Sequence, residues 1–128
     1  MITNESVSLW LANYVEAWKS YDPDAIGALF SEDAHYYYSP YSEPLEGRET
    51  IVASWLENRD KAGTYTAEYR VIATNGNLVV TSGRSSYFED DGKTLVREYD
   101  NVFVIEFDDT GKCSLFKEWY MKNPNNKA

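Results

Sequence analysis

Two acids in this chain stand where acids are costly. Asp100 stands at the entry to the apolar stretch VFVI in the run REYDNVFVIEF, and Glu118 sits among aromatic residues in LFKEWYM. A carboxyl facing an apolar cavity favours its neutral form, which makes it a hydrogen-bond donor or a general acid. Two of them in one pocket make an acid/base pair. The same positions also fit a structural role. Asp100 would then be satisfied by Tyr14, Arg84 or backbone amides, and Glu118 by an ion pair with Arg84 that only offsets its own desolvation. Around these acids the chain supplies eleven Tyr and four Trp. Tyr and Trp join an apolar body to a polar tip, which suits a half-wet pocket wall. Tyr14 and Tyr38 are the better lining candidates, since buried hydroxyls must find partners. Tyr36, Tyr69 and Tyr120 join them, with Arg84 and with Val102 from the face of Asp100. Trp18 and Trp55 are lining candidates too, although their helical spacing is first of all that of core residues. His35 reads as exposed or locally bonded, Cys113 as a small packed residue, and Arg48 as a local cap or pair.

Elements must position these side chains. Val7, Leu11, Tyr14 and Trp18 recur at spacings of four and three, which predicts an amphipathic helix from about Asn4 to about Ser20, capped by Asn4 or Ser6. Asp22-Pro23 predicts an N-cap and first turn of a short second helix with Ile26, Leu29 and Phe30 on its buried side. Ser31-Glu32-Asp33 ends it, and Ala34 to Tyr38 reads as an aromatic strand. Pro40 and Pro44 bracket a loop, and Gly47-Arg48-Glu49 opens a third helix bearing Ile51, Val52, Trp55 and Leu56. Four strands follow: Tyr65–Thr74, Leu78–Phe88, about Leu95–Phe107 and Lys112–Met121, with turns at Asn75-Gly76-Asn77, Asp90-Asp91-Gly92 and Asp108 to Gly111. Helices first and a long meander afterwards imply an α+β fold. Such a sheet is shielded only if the three N-terminal helices lie across a strongly curved, mainly antiparallel sheet and close it into a cone. Both faces of the later strands carry apolar residues. One face is expected to cover core and pocket, and the other, with Phe103, Ile105 and Trp119, a second subunit.

Composition narrows the function classes. A chain of 128 residues forms one domain, expected over 1–122, with 123–128 as a disordered tail. Net charge is −9, and no Lys/Arg cluster offers the counterion release that nucleic acid or an anionic membrane requires. One His and one Cys provide neither a soft-metal cluster nor an internal disulfide. Neither acidic turn has EF-hand spacing. The N-terminal MITNESVSLW lacks a signal peptide's basic and apolar regions, and no run approaches the ~18 apolar residues of a membrane span, so a cytoplasmic protein is expected.

The order of elements, the block DPDAIGALFSEDA, the helix start GRETIVASW and the final FDDTGKCSLFKEWYM resemble the nuclear transport factor 2-like superfamily, and within it the SnoaL-like group. The resemblance runs from Leu9 to Met121 and implies the same helix-wrapped curved sheet. It is specific for fold; the superfamily holds isomerases, cyclases, dehydratases, epoxide hydrolases and non-catalytic domains. Its ketosteroid isomerases use a helix Tyr and a protonated strand Asp as oxyanion hole, with a second Asp as base. By resemblance, Tyr14 in NYVEAW stands for the first and Asp100 for the second, while the base position falls on Tyr38, a poor base near neutral pH. Against the Asp–Arg–Asp relay of limonene-epoxide hydrolases, Arg84 and Glu118 match two positions and Ser86 occupies the third. Scytalone dehydratases rely on paired histidines, absent here. SnoaL-type cyclases use a pocket Asp, a role that falls to Asp100. The resemblance therefore implies a cavity for a small hydrophobic or cyclic ligand and, if there is turnover, cofactor-independent proton transfer by Asp100, Tyr14 and Glu118. The alternative is a non-catalytic dimeric scaffold whose side chains fill the cavity.

Overall fold

The computed structural model describes residues 2–125. Helix α1 spans Asn4–Ser20 and turns Val7, Trp10, Leu11, Tyr14 and Ala17 inward. Its cap is Thr3 rather than Asn4 or Ser6. The Thr3 hydroxyl accepts the Ser6 amide at 3.0 Å, and the Ser6 hydroxyl accepts the Thr3 amide at 2.8 Å. Ser6 is thus the reciprocal partner in a capping box. Helix α2, Pro23–Gly27, starts at Asp22 as its sequence predicts, with the Asp22 carboxylate accepting the Asp24 amide at 3.0 Å. Helix α3, Arg48–Glu57, follows Gly47, whose φ of 93° favours glycine.

The strands are β1 (Phe30–Tyr37), β2 (Leu45–Glu46), β3 (Tyr65–Asn75), β4 (Leu78–Phe88), β5 (Leu95–Phe107) and β6 (Cys113–Lys122). They form one six-stranded mixed sheet in the order β2-β1-β6-β5-β4-β3. Neighbours are antiparallel except β1 and β6, which run parallel. Ser31-Glu32-Asp33 does not break the chain before β1. It lies within the strand, between Phe30 and His35, where the register against β6 shifts. The proline-bracketed loop is followed directly by β2, two residues that pair with His35 and Tyr36. His35 is half-exposed, its Nε2 3.6 Å from Glu46 on that neighbouring strand.

Side-chain volume decides which face of β5 goes inward. Asn101, Phe103, Ile105 and Phe107 are buried, while Asp100 and Glu106 are exposed and Val102 and Val104 half-buried. Phe103 and Ile105 therefore belong to the core, not to an outer contact surface. Three large side chains remove more apolar area from water than two valines, and alternation carries Asp100 outward with the valines. Phe103 pairs with Glu118 and Ile105 with Phe116, so the inner row of β6 is Phe116 and Glu118. Trp119 and Met121 stand outside, 41% and 74% exposed.

Aromatic rings fill the space between sheet and helices. Phe116 stacks on Tyr36 at 4.6 Å and 4°, and on Tyr14 at 5.6 Å and 15°. Phe103 lies 4.7 Å from Phe116 and 4.6 Å from Tyr69. The Trp10 indole donates to the Leu29 carbonyl at 3.0 Å, tying α1 to the end of α2. Arg48 is not a local cap or pair: its Nε donates at 3.0 Å to the carbonyl of Phe30, 18 residues earlier, tying the start of α3 to β1. Cys113 is fully buried. Beyond β6, the Asn123 amide donates to the Glu98 carbonyl at 2.8 Å. The remainder of the expected tail, 126–128, lies outside the described residues. Among the described residues no helix is long and apolar enough to cross a membrane.

Gly83 of β4 lies directly across from Tyr69, and a Cβ there would collide with the Glu68 carbonyl and with the Tyr69 ring and Cα. Most of that clash is against backbone, which cannot move aside without breaking the β3–β4 ladder. Gly83→Ala is expected to lower unfolding free energy by roughly 1–3 kcal/mol in urea titration; an unchanged midpoint would contradict this packing.

Candidate functional site

The inner row of β6 leaves the core at Glu118, where the packing opens into a cavity of about 170 Å³. Helix α1 contributes Tyr14 and Trp18, β1 Tyr36, and α3 Trp55; β3 to β6 supply Tyr69, Ser85, Tyr87, Asn101 and Glu118. Tyr38, Tyr21, Asn58 and Asp60 complete the wall from the intervening loops. A wider mouth of about 300 Å³ shares Tyr38, Ser85, Tyr87, Asn101 and Glu118 with it and continues past Arg97, Tyr99 and Tyr120.

Glu118 is held by a directed chain of hydrogen bonds. The Ser85 hydroxyl donates to Asn101 Oδ1 at 3.0 Å, and Asn101 Nδ2 donates to Glu118 Oε2 at 2.6 Å. With its carbonyl engaged by Ser85, the Asn101 amide presents N–H to the carboxyl. Burial pushes the Glu118 carboxyl up to about 7, although the Asn101 bond pulls the other way. Around neutral pH this group is therefore divided between acid and carboxylate, the condition a general acid/base needs.

The phenols stay protonated. Burial raises Tyr14 and Tyr36 well above the ordinary phenol value, and each also feels the negative charge of Glu118. Tyr69 and Tyr38 are raised by burial too, again with Glu118 contributing. The Tyr14 and Tyr36 hydroxyls lie 3.5 Å apart, and Tyr38 shares a 2.8 Å hydrogen bond with Ser54. On the far wall the Asp60 carboxylate accepts from Trp18 Nε1 at 3.0 Å and the Tyr21 hydroxyl at 3.5 Å. Among the described residues the buried Trp55 indole N–H has no hydrogen-bond partner.

Of the residues singled out from sequence, the fold brings Tyr14, Trp18, Tyr36, Tyr38, Trp55, Tyr69 and Glu118 to one cavity. It does not bring Asp100, Arg84 or Val102 there. Asp100 is on the opposite face of the sheet, its Oδ2 3.9 Å from Arg84 Nε, and the Arg84 side chain is 69% exposed. Val102 shares that outer face, across from Trp119. The alternative Arg84–Glu118 pair is excluded for the same reason, since Arg84 approaches Glu98 and Asp100 instead. Tyr120 has the inward parity but reaches only the mouth, where it is 55% exposed. The sequence reading missed Asn101, although its alternation with Phe103, Ile105 and Phe107 signals an inward position. Nothing local marks Asp60, which reaches the cavity only because its loop folds back onto α1. Among the described residues no group of three or more His, Cys, Asp or Glu is placed to hold a metal ion.

Three helices on a six-stranded mixed sheet with a lined cavity define a recognised class. The profile of the SnoaL-like domain matches residues 11–115, and the chain belongs to that family. Among solved structures it is similar to an NTF-2-like protein of unknown function from Burkholderia xenovorans LB400. That likeness has a TM-score of 0.69 and 21% identity, over 97% of this chain and 88% of that one. It is also similar to an LEH-like epoxide hydrolase from M. tuberculosis, with a TM-score of 0.67 and 17% identity, over 92% of this chain and 84% of that one. At these identities the likeness is one of fold. No curated protein matches the sequence.

Titration of Glu118 has a stability consequence with a definite sign. Its folded value of about 7 lies above the ordinary 4.5, so the unfolded chain releases this proton first as pH rises. Glu118 therefore lowers stability progressively between about pH 4.5 and 7, by up to about 3 kcal/mol before solvent screening reduces it. Glu118→Gln removes the titration. Relative to wild type it is expected to gain stability at about pH 8 and not at about pH 5 in urea titrations. An equal effect at both would contradict the burial of this carboxyl.

Proposed function

We propose that this SnoaL-like protein binds a small cyclic ligand and transfers protons on it without a cofactor, with Glu118 as the acid/base. The observation that carries the reading is the Ser85–Asn101–Glu118 chain, which fixes a carboxyl of near-neutral pKa in the wall of an aromatic cavity. In its charged form Glu118 takes a proton from a carbon next to a carbonyl. The developing oxyanion is received by neutral phenol donors, Tyr14 and Tyr36. Glu118 then returns the proton at another carbon, or to a leaving hydroxyl, giving isomerisation or dehydration. The enolate could equally attack a second carbonyl, giving cyclisation. Asp100 has no part in this scheme, because it lies outside the cavity.

The size of the site limits the ligand. An apolar cavity of ~150 Å³ accepts benzene, so about 170 Å³ accommodates one ring. A larger fused-ring molecule would extend into the mouth. The helices and curved sheet then act as a cone closed around that ring.

A probe that does not depend on the natural substrate tests the chemistry: exchange of the α-protons of cyclohexanone for deuterium, followed by proton NMR in D2O. The protein is expected to accelerate exchange, with a rate that rises through about pH 7 as Glu118 ionises. Glu118→Gln should cut the acceleration by about 10²- to 10⁴-fold, and Asp100→Asn should leave it unchanged. Exchange no faster than in buffer, or a Glu118→Gln variant as active as wild type, would refute the assignment.

The outer sheet face supports homodimerisation, with Val102 across from Trp119 and Met121 beyond. Sedimentation velocity is expected to give a dimer that Trp119→Glu converts to monomer. A wild-type monomer at high concentration would refute it.

A further inference from the structure

The mouth of the cavity carries a cation that the scheme above leaves unused. Arg97 lies four residues before Asn101 on β5 and has the same inward parity, so the two project from one face of the strand. Its guanidinium rests 4.3 Å from the centroid of Tyr87, the residue directly across on β4. Tyr87 lines both cavity and mouth, and Arg97 lines the mouth. The other arginine nearby, Arg84, is on the outer face with Glu98 and Asp100. Among the described residues no carboxylate lies within ion-pair distance of Arg97. It is half-buried, held against a ring rather than extended into water.

We infer that Arg97 is a specificity residue that binds an anionic group, a carboxylate in the first instance, on the same ligand whose ring enters the cavity. This deepens the acid/base reading and rests on it for the location of the ring. Stacking on Tyr87 restricts the guanidinium and leaves its N–H edge free for an oxyanion. Arg97 lines the mouth and not the inner cavity, so a ring seated beside Tyr14 and Tyr36 reaches it through a linking chain. The ligand class is therefore a ring or cyclic carbonyl joined by a short chain to a carboxylate, not a compact ring acid such as benzoate. The net charge of −9 repels anions in general, so a preference for one would have to arise locally.

Equilibrium binding, read by tryptophan fluorescence, tests this with benzoate, 4-phenylbutyrate and 6-phenylhexanoate, each beside its neutral amide. Wild type is expected to bind the longer carboxylates about tenfold more tightly than their amides and benzoate no better than benzamide. Arg97→Gln should abolish the difference while leaving the affinity for the amides unchanged, and Arg97→Lys should restore part of it. Amides bound as tightly as carboxylates, or an Arg97→Gln variant weakened equally for both, would overturn the role of Arg97 and leave ring binding standing. Failure of every ring probe to bind would overturn the cavity reading itself. Because no turnover is measured, a catalytically silent Glu118 would not alter the result.

Discussion

The stacking of Phe116 on Tyr36 and Tyr14 is the contact on which the rest of the molecule depends. It brings together β6, β1 and α1, which are far apart in sequence. Aromatic pairs of this kind contribute about 0.5–1.5 kcal/mol each beyond the area they bury. More importantly, they fix the depth at which β6 runs. Two residues along the same face, that depth leaves Glu118 neither in the core nor in water. A carboxyl so placed is desolvated enough to resist ionisation but still reaches a cavity. Core packing and site chemistry occupy successive inward positions of one strand, Phe116 and Glu118.

The walls of the site follow from the same constraint. Asn101 is across from Tyr120 and beside Phe103, which pairs with Glu118, so the β5–β6 register alone delivers the amide to the carboxyl. Ser85 reaches Asn101 through the neighbouring β4–β5 register. Gly83, two residues from Ser85, leaves no room for a side chain because the Glu68 carbonyl and the Tyr69 backbone and ring crowd that position. A one-residue slip of β5 against its neighbours would exchange Asn101 for Asp100 and break the acid/base chain.

Local patterns in the sequence were sufficient for most elements. The stripe of α1, the Asp22-Pro23 start of α2 and the Asn75-Gly76-Asn77 hairpin depend on neighbours in the chain, and they form where the pattern places them. The parallel pairing of β1 with β6 and the two-residue β2 depend on partners far away, and no local signal marks them. The site was legible where alternation was unambiguous, as for Glu118 beside Phe116. It was misread on β5, whose two faces are both apolar. There Asp100, one of three acids on the strand, points to the wrong face, and the larger side chains choose the inner one. The resemblance to enzymes with a strand Asp reinforced the wrong parity, and the neighbouring Asn101 holds the place in the cavity.

Glu118 is a half-buried carboxyl, desolvated enough to be poised between its two protonation states near neutral pH. Carbon-13 NMR titration of the glutamate side-chain carboxyls, with Glu118 assigned by its absence in Glu118→Gln, measures this directly. A midpoint of about 7 is expected for Glu118. A midpoint at the ordinary 4.5 would show the carboxyl to be solvated and would contradict this expectation.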